Sequence, residues 1–181
     1  GTWSSTFTGV AEGARTVSAS QTDAAGNTGT STTVSFSIDL TLPTVSITSS
    51  PTNPTNLTSG SFAFTTNDGG TNPSGVISAL CKIDGGTFAA CDSPIGQAFS
   101  GLADGTHTFS VKAVDRAGNS STTATYSWRT DTAGPVLSLT SPANGGFTSS
   151  QTPALTGVGG LATGDNSTVT VRIYAGTAAT G

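Results

Sequence analysis

The strongest constraint on this chain is that it repeats. Arg15 to Asn27 reads RTVSASQTDAAGN and His107 to Asn119 reads HTFSVKAVDRAGN, two alternating runs that each end in Asp-x-Ala-Gly-Asn. A Ser/Thr-rich run follows each one, STTVSFSID up to Asp39 and STTATYSWRTD up to Asp131. Each then passes through a linker ending in proline, at Pro43 and Pro135, into a new apolar-polar run, TVSIT to Thr48 and VLSLT to Thr140. The interval is 92 residues from Asp23 to Asp115, from Asp39 to Asp131 and from Pro43 to Pro135. Fixed-period self-similarity is the mark of a chain built from equivalent structural units.

A period of about 90 residues is the size of one immunoglobulin-like β-sandwich. The predicted fold is therefore all-β, with sandwiches strung in tandem. The register divides the chain into 1–42, the C-terminal half of one domain; 43–134, a complete domain; and 135–181, the N-terminal half of another. Period two sets the strand faces. Phe109, Val111 and Ala113 share one face, and Ser110, Lys112 and Val114 the other. Tyr126 and Trp128 fall together, as do Phe62 and Phe64. The expected core is Phe62, Phe64, Phe109, Val111 and Trp128. Asp-x-Ala-Gly-Asn suits a tight hairpin, because Gly118 and Asn119 tolerate positive φ and Asp115 can accept from nearby amides.

Ser and Thr make up about a third of the 181 residues and charged residues only 9%. Thr is β-branched and suits a pleated surface open to water, so this composition fits strands. The net charge is −4, and the six basic residues are scattered from Arg15 to Arg172, with no patch to neutralise phosphates. Nucleic acid is therefore not an expected partner. No apolar run reaches membrane-spanning length. Gly1 is expected to be an internal point of a longer chain. Cys81 and Cys91 flank the turn signal Asp84-Gly85-Gly86, close enough across a hairpin for a disulfide. The alternative is a pair of free buried thiols. A disulfide would place the chain in an oxidising compartment, outside the cell.

KIDGGTFAAC, ending at Cys91, followed by SGLADGTHTFSVKAVDRAGN, ending at Asn119, resembles bacterial immunoglobulin-like repeats of large secreted and surface proteins. The resemblance covers nearly all of 76–134. Two departures are Ala79, where an aromatic is usual, and the NDGGTNPSG insertion ending at Gly75. The head, from Gly1 to Asn27, and the tail, from Ser141 through Tyr174, resemble the two halves of a second such repeat type, found in tandem arrays of giant adhesins. The resemblance implies a structural or adhesive role and no catalysis.

The chemistry-bearing residues agree. Catalysis needs convergent titratable groups, and the chain has one histidine, His107, and one glutamate, Glu12. His107 opens a strand and reads as structural. No zinc spacing, nucleophile elbow or carboxylate pair is present. Calcium is the better candidate, since hard cations take carboxylate and carbonyl oxygens and nearly every acidic residue is an aspartate in a turn or linker. In a sandwich the incoming linker lands beside the B–C and F–G loops. Asp39 lies in that linker, Asp68 in the B–C loop, and Asp115 and Asn119 in the F–G turn. Asp131 and Asp165 would play the linker and loop roles at the next junction. The alternative is that each aspartate serves its own turn.

The leading function from sequence is a spacer or stalk in a bacterial extracellular adhesin or surface fibre, with neighbouring repeats of the same protein as partners. One rival is a filament subunit whose head and tail complete each other between copies, the head supplying late strands around Trp3–Phe7, Arg15–Thr22 and Thr32–Ile38 and the tail early ones around Val136–Thr140, Pro153–Gly157 and Thr168–Tyr174. In that case Trp3, Phe7, Val17 and Phe36 should be covered, and their exposure in a single chain counts against it. Another is a carbohydrate-binding module of a secreted hydrolase, with host or surface glycans as partners; it would need exposed coplanar aromatics.

Overall fold

The structure, a computed structural model, describes residues 1–160, 162 and 164–176, and among them every regular element is a strand. Residues 161, 163 and 177–181 of the expected third domain lie outside the described residues. By its contacts the chain forms two units, Gly1–Thr130 and Asp131–Gly181.

The first unit opens with a long interrupted hairpin. Strand β1 (Gly13–Val17) and β2 (Ser20–Thr22) run up to the Asp23–Asn27 turn, and β3 (Thr28–Thr30) and β4 (Val34–Ile38) return. β2 pairs with β3 and β1 with β4, both antiparallel. At the interruption the Ala19 amide donates to Ser31 Oγ and the Ser31 amide to the Ala19 carbonyl, so the hairpin continues without a regular ladder. Trp3–Phe7, expected as a strand, is not one. A strand needs a partner for its amides and carbonyls, and among the described residues the β1–β4 sheet stays two-stranded, with no third segment paired to either arm. Trp3 and Phe7 are 75% and 74% exposed, and Val17 and Phe36 are exposed as well. That exposure in the single chain is the observation set against the filament reading.

The complete sandwich follows. One sheet holds β5 (Thr44–Ser49), β6 (Gly60–Asn67) and β9 (Gly96–Phe99), in the order β5-β6-β9. The other holds β7 (Val76–Ile83), β8 (Ala89–Ala90), β10 (Gly105–Asp115) and β11 (Ala124–Thr130), in the order β11-β10-β7-β8. Three strands facing four, with the chain crossing repeatedly between sheets, is an immunoglobulin-like arrangement. The core lies between them: Phe62, Phe64, Ala79, Cys81, Phe109, Val111 and Trp128. All five side chains expected there from alternation are buried. Phe62 stacks on Phe109 at 4.1 Å and meets Trp128 edge-on at 5.1 Å. Gly60 makes room for that packing, because a Cβ there would sit 3.2 Å from the Trp128 ring. Ala79 is itself a core residue, and small as it is, it faces Ala113 across the β7–β10 pair.

The cysteines form a disulfide, with Cα atoms 5.1 Å apart. It closes the β7–β8 hairpin on the core side, and the hairpin turns where expected, with the Gly86 amide donating to the Ile83 carbonyl. Asp84 takes φ of 50°, which a short polar side chain tolerates. Its carboxylate accepts from the Thr108 amide at 2.7 Å and bonds His107 Nδ1 at 2.9 Å. His107 is thus a structural clasp between the disulfide hairpin and β10.

In the second unit β12 (Ser138–Ser141) pairs with β13 (Thr156–Val158). These strands start later than the expected Val136–Thr140 and Pro153–Gly157. Thr168–Tyr174, expected as a strand from its alternation, has no ladder. Alternation marks a segment that could pair; it supplies no partner.

Candidate functional site at the incoming linker

Three aspartates far apart in sequence meet at the end of the sandwich where the linker arrives. Asp39 follows β4, Asp68 follows β6 and Asp115 ends β10. One carboxylate oxygen from each lies within 4.8 Å of the others. Two ligands on one calcium ion, each at about 2.3–2.6 Å, can be no farther apart than about 5 Å, so the spacing fits a shared cation.

Each carboxylate is held from behind. Asp39, mostly buried, accepts from the Thr41 amide at 3.1 Å and the Ser74 amide at 2.7 Å. The bonds from Ser74 chiefly hold its pKa below the ordinary value. Asp68 Oδ2 accepts from the Gly75 amide at 2.6 Å, while its Oδ1 is buried with no hydrogen-bond partner. Asp115, fully buried, accepts from the Asn119 amide and the Asn119 side chain, both at 2.8 Å. A carboxylate oxygen has more than one lone-pair site, so these bonds leave room for a cation. The cluster therefore joins three negative groups, one with an orphaned oxygen, in a partly desolvated place. Burial without a compensating partner is costly for such an atom.

The sequence placed Asp39, Asp68, Asp115 and Asn119 together, and the structure brings them together. Asn119 contributes through its amide nitrogen, which donates to the Asp39 carbonyl at 3.1 Å as well as to Asp115. It braces the linker. The left-handed residue of this turn is Gly118, with φ of 97°. Asp131 and Asp165 both lie in the second unit. Asp131 accepts from the Ala133 amide and Asp165 from the Ala162 amide, each within its own turn. Asp131 Oδ2 also borders the Asp165 loop, 3.0 Å from where a Gly164 Cβ would stand. Among the described residues no third acidic group joins them.

Sequence reasoning named Asp68 but not the rest of the Asn67–Gly75 insertion as a builder of this site. It supplies Asp68, the Ser74 amide that grips Asp39, and Ser74 Oγ, which accepts from the Ala117 amide in the F–G turn. The Gly75 carbonyl accepts from the Arg116 amide. The available signal was the insertion itself, a departure from the repeat pattern rich in Gly, Asn and Pro.

No protein-family model matches this sequence, and no curated protein matches it. Among solved structures the chain is similar to the fibronectin(III)-like modules of Clostridium thermocellum CbhA, at 20% identity and a TM-score of 0.46. The match covers 68% of this chain and 65% of that one.

Proposed function

We propose that this chain is a stretch of non-catalytic spacer repeats from a bacterial extracellular adhesin or surface fibre, and that calcium stiffens the joint between its head hairpin and its complete sandwich. The observation that carries this is the convergence of linker, B–C loop and F–G turn on Asp39, Asp68 and Asp115. A module whose most elaborate polar site sits where its predecessor enters is organised around its place in a chain. The disulfide fits an oxidising, extracellular compartment. Phe62, Phe64, Phe109 and Trp128 are buried in the core of the sandwich, which supports a packing role for them over a sugar-binding one.

Calcium titrated into the chelator-stripped 181-residue chain tests this. One equivalent should bind, and calcium at about 100 times its dissociation constant should stabilise the sandwich by about 2.7 kcal/mol. D68N and D115N should each abolish both effects. Absence of binding heat and of any melting shift in millimolar calcium would overturn the cation proposal.

A further inference from the structure

The insertion does a second job that involves no aspartate. Glu12, the only glutamate of the chain, reaches from the loop before β1 to both the linker and the insertion. Its Oε2 accepts from the Thr41 hydroxyl at 2.8 Å and its Oε1 from the Thr71 amide at 3.3 Å. Gly70 completes the seat. It has φ of 91°, and a Cβ there would stand 2.6 Å from Thr41 Oγ1 and 2.9 Å from Glu12 Oε1. No side chain can occupy position 70 while Glu12 is seated.

Glu12 is also held in position from its own side. The Arg15 guanidinium donates to the carbonyls of Ala11 at 2.6 Å, Glu12 at 3.1 Å and Ala14 at 2.9 Å. That fork fixes the backbone that presents the carboxylate. The 92-residue register places Asp104 opposite Glu12, each directly before the glycine that opens its strand. Both repeats therefore carry an acid at this position.

We infer that the Asn67–Gly75 insertion is a socket for a carboxylate presented by the preceding repeat, a polar latch that fixes the joint between successive repeats without a metal ion. Its partner is a loop of an immunoglobulin-like neighbour bearing an acid just before a late strand, the role residues 11–13 play here. The latch confers a preference in repeat order, because a neighbour with no acid at that position leaves the Thr71 amide and the Thr41 hydroxyl without an acceptor. It goes beyond the cation proposal and is independent of it.

The test uses the 15N-labelled 181-residue chain in excess chelator, so that loss of a cation site and loss of the latch are separable. Residual dipolar couplings from β1–β4 and from β5–β11 should fit one alignment tensor. E12A should require two tensors and speed exchange of the Thr71 amide about tenfold, the effect of removing one net hydrogen bond. E12Q keeps an acceptor for Thr71 and offers Thr41 a donor in place of an acceptor, and it should keep the single tensor. G70A lies outside the head and should mimic E12A, which answers the objection that E12A merely unfolds the hairpin. A wild-type chain that already needs two tensors overturns the latch, as does a pair of E12A and G70A variants that keep one tensor with unchanged Thr71 exchange.

Discussion

Position for position, 92 residues apart, the two copies of the long hairpin meet different surroundings. Phe109 and Trp128 of the second copy are fully buried, whereas their counterparts Val17 and Phe36 are 38% and 46% exposed. The turns are nearly identical. In one, the Asn27 amide and side chain donate to Asp23 at 2.8 and 2.9 Å; in the other, those of Asn119 donate to Asp115, both at 2.8 Å. Gly26 and Gly118 have φ of 91° and 97°. Even the strand starts correspond: Arg15 donates to the carbonyl of Ala11, and His107 Nε2 bonds that of Ala103, each four residues upstream. The hairpin is thus a local unit whose turn and strand start form without a second sheet. What the second sheet adds is burial, worth about 1.5–3 kcal/mol for each large apolar side chain.

That contrast can be broken most directly in the core. Phe109→Ala should cost the sandwich about 3–5 kcal/mol, as large-to-small changes of buried aromatics do. Val17→Ala at the matching position should cost under about 1 kcal/mol, the range of exposed sites. Urea unfolding followed by Trp128 emission measures both. A Val17→Ala loss near that of Phe109→Ala would mean the first hairpin has a core of its own.

A smaller effect sharpens the comparison through the disulfide, which only the sandwich possesses. Replacing Cys81 and Cys91 together with alanine should lower its stability by about 2–3 kcal/mol, the loop-closure value for a short loop. Amide exchange in β1–β4 should not change. Equal acceleration in both hairpins would show that they unfold as one unit.

The smallest effect concerns the one place where the copies differ in chemistry, His107 against Arg15. The hydrogen bonds to the Ala103 carbonyl and Asp84 raise the His107 pKa above its ordinary 6.5, against the opposing pull of burial. Burial pushes Asp84 up, but its bonds from His107 and Thr108 prevail and hold it below 3.8. The stability that His107 contributes is therefore complete below its unfolded pKa and lost as pH rises through the raised folded value. The part owed to Asp84 is present above its unfolded pKa and lost as pH falls through its lowered folded value. The wild-type advantage over His107→Gln should peak at about pH 5–6 and shrink toward pH 8. It should stay below about 1 kcal/mol, since water screens a partly exposed pair; the Asp84 side chain is 45% exposed. The matching position carries a guanidinium in place of the imidazole, so Arg15→Gln should show no such profile. A flat His107→Gln difference between pH 5 and 8 would remove the clasp.

The linker site was legible in part. Asp39, Asp68 and Asp115 could be placed together because the order of strands in a sandwich dictates which loops share an end. The Ser74 grip, the orphaned Asp68 oxygen and the Glu12 latch were not legible. They depend on how an irregular insertion folds back, and no periodicity encodes that path.

By itself the sequence determined everything that rests on local chemistry and alternation: strands with a two-residue period, the Asp-x-Ala-Gly-Asn turns, the hairpin that brings Cys81 to Cys91, and the five core side chains of the sandwich. Tertiary structure decided which alternating segments became strands at all. Thr168–Tyr174 alternates as well as β10 does, and Trp3 and Phe7 fall on one face of an extended run, yet neither segment forms a ladder, because a strand is completed by hydrogen bonds to a neighbour that its own residues do not provide. It also decided that two hairpins of the same local design should differ in burial. Side chains such as Phe36 and Trp128 carry the same apolar character, and only the presence of a facing sheet removes one of them from water.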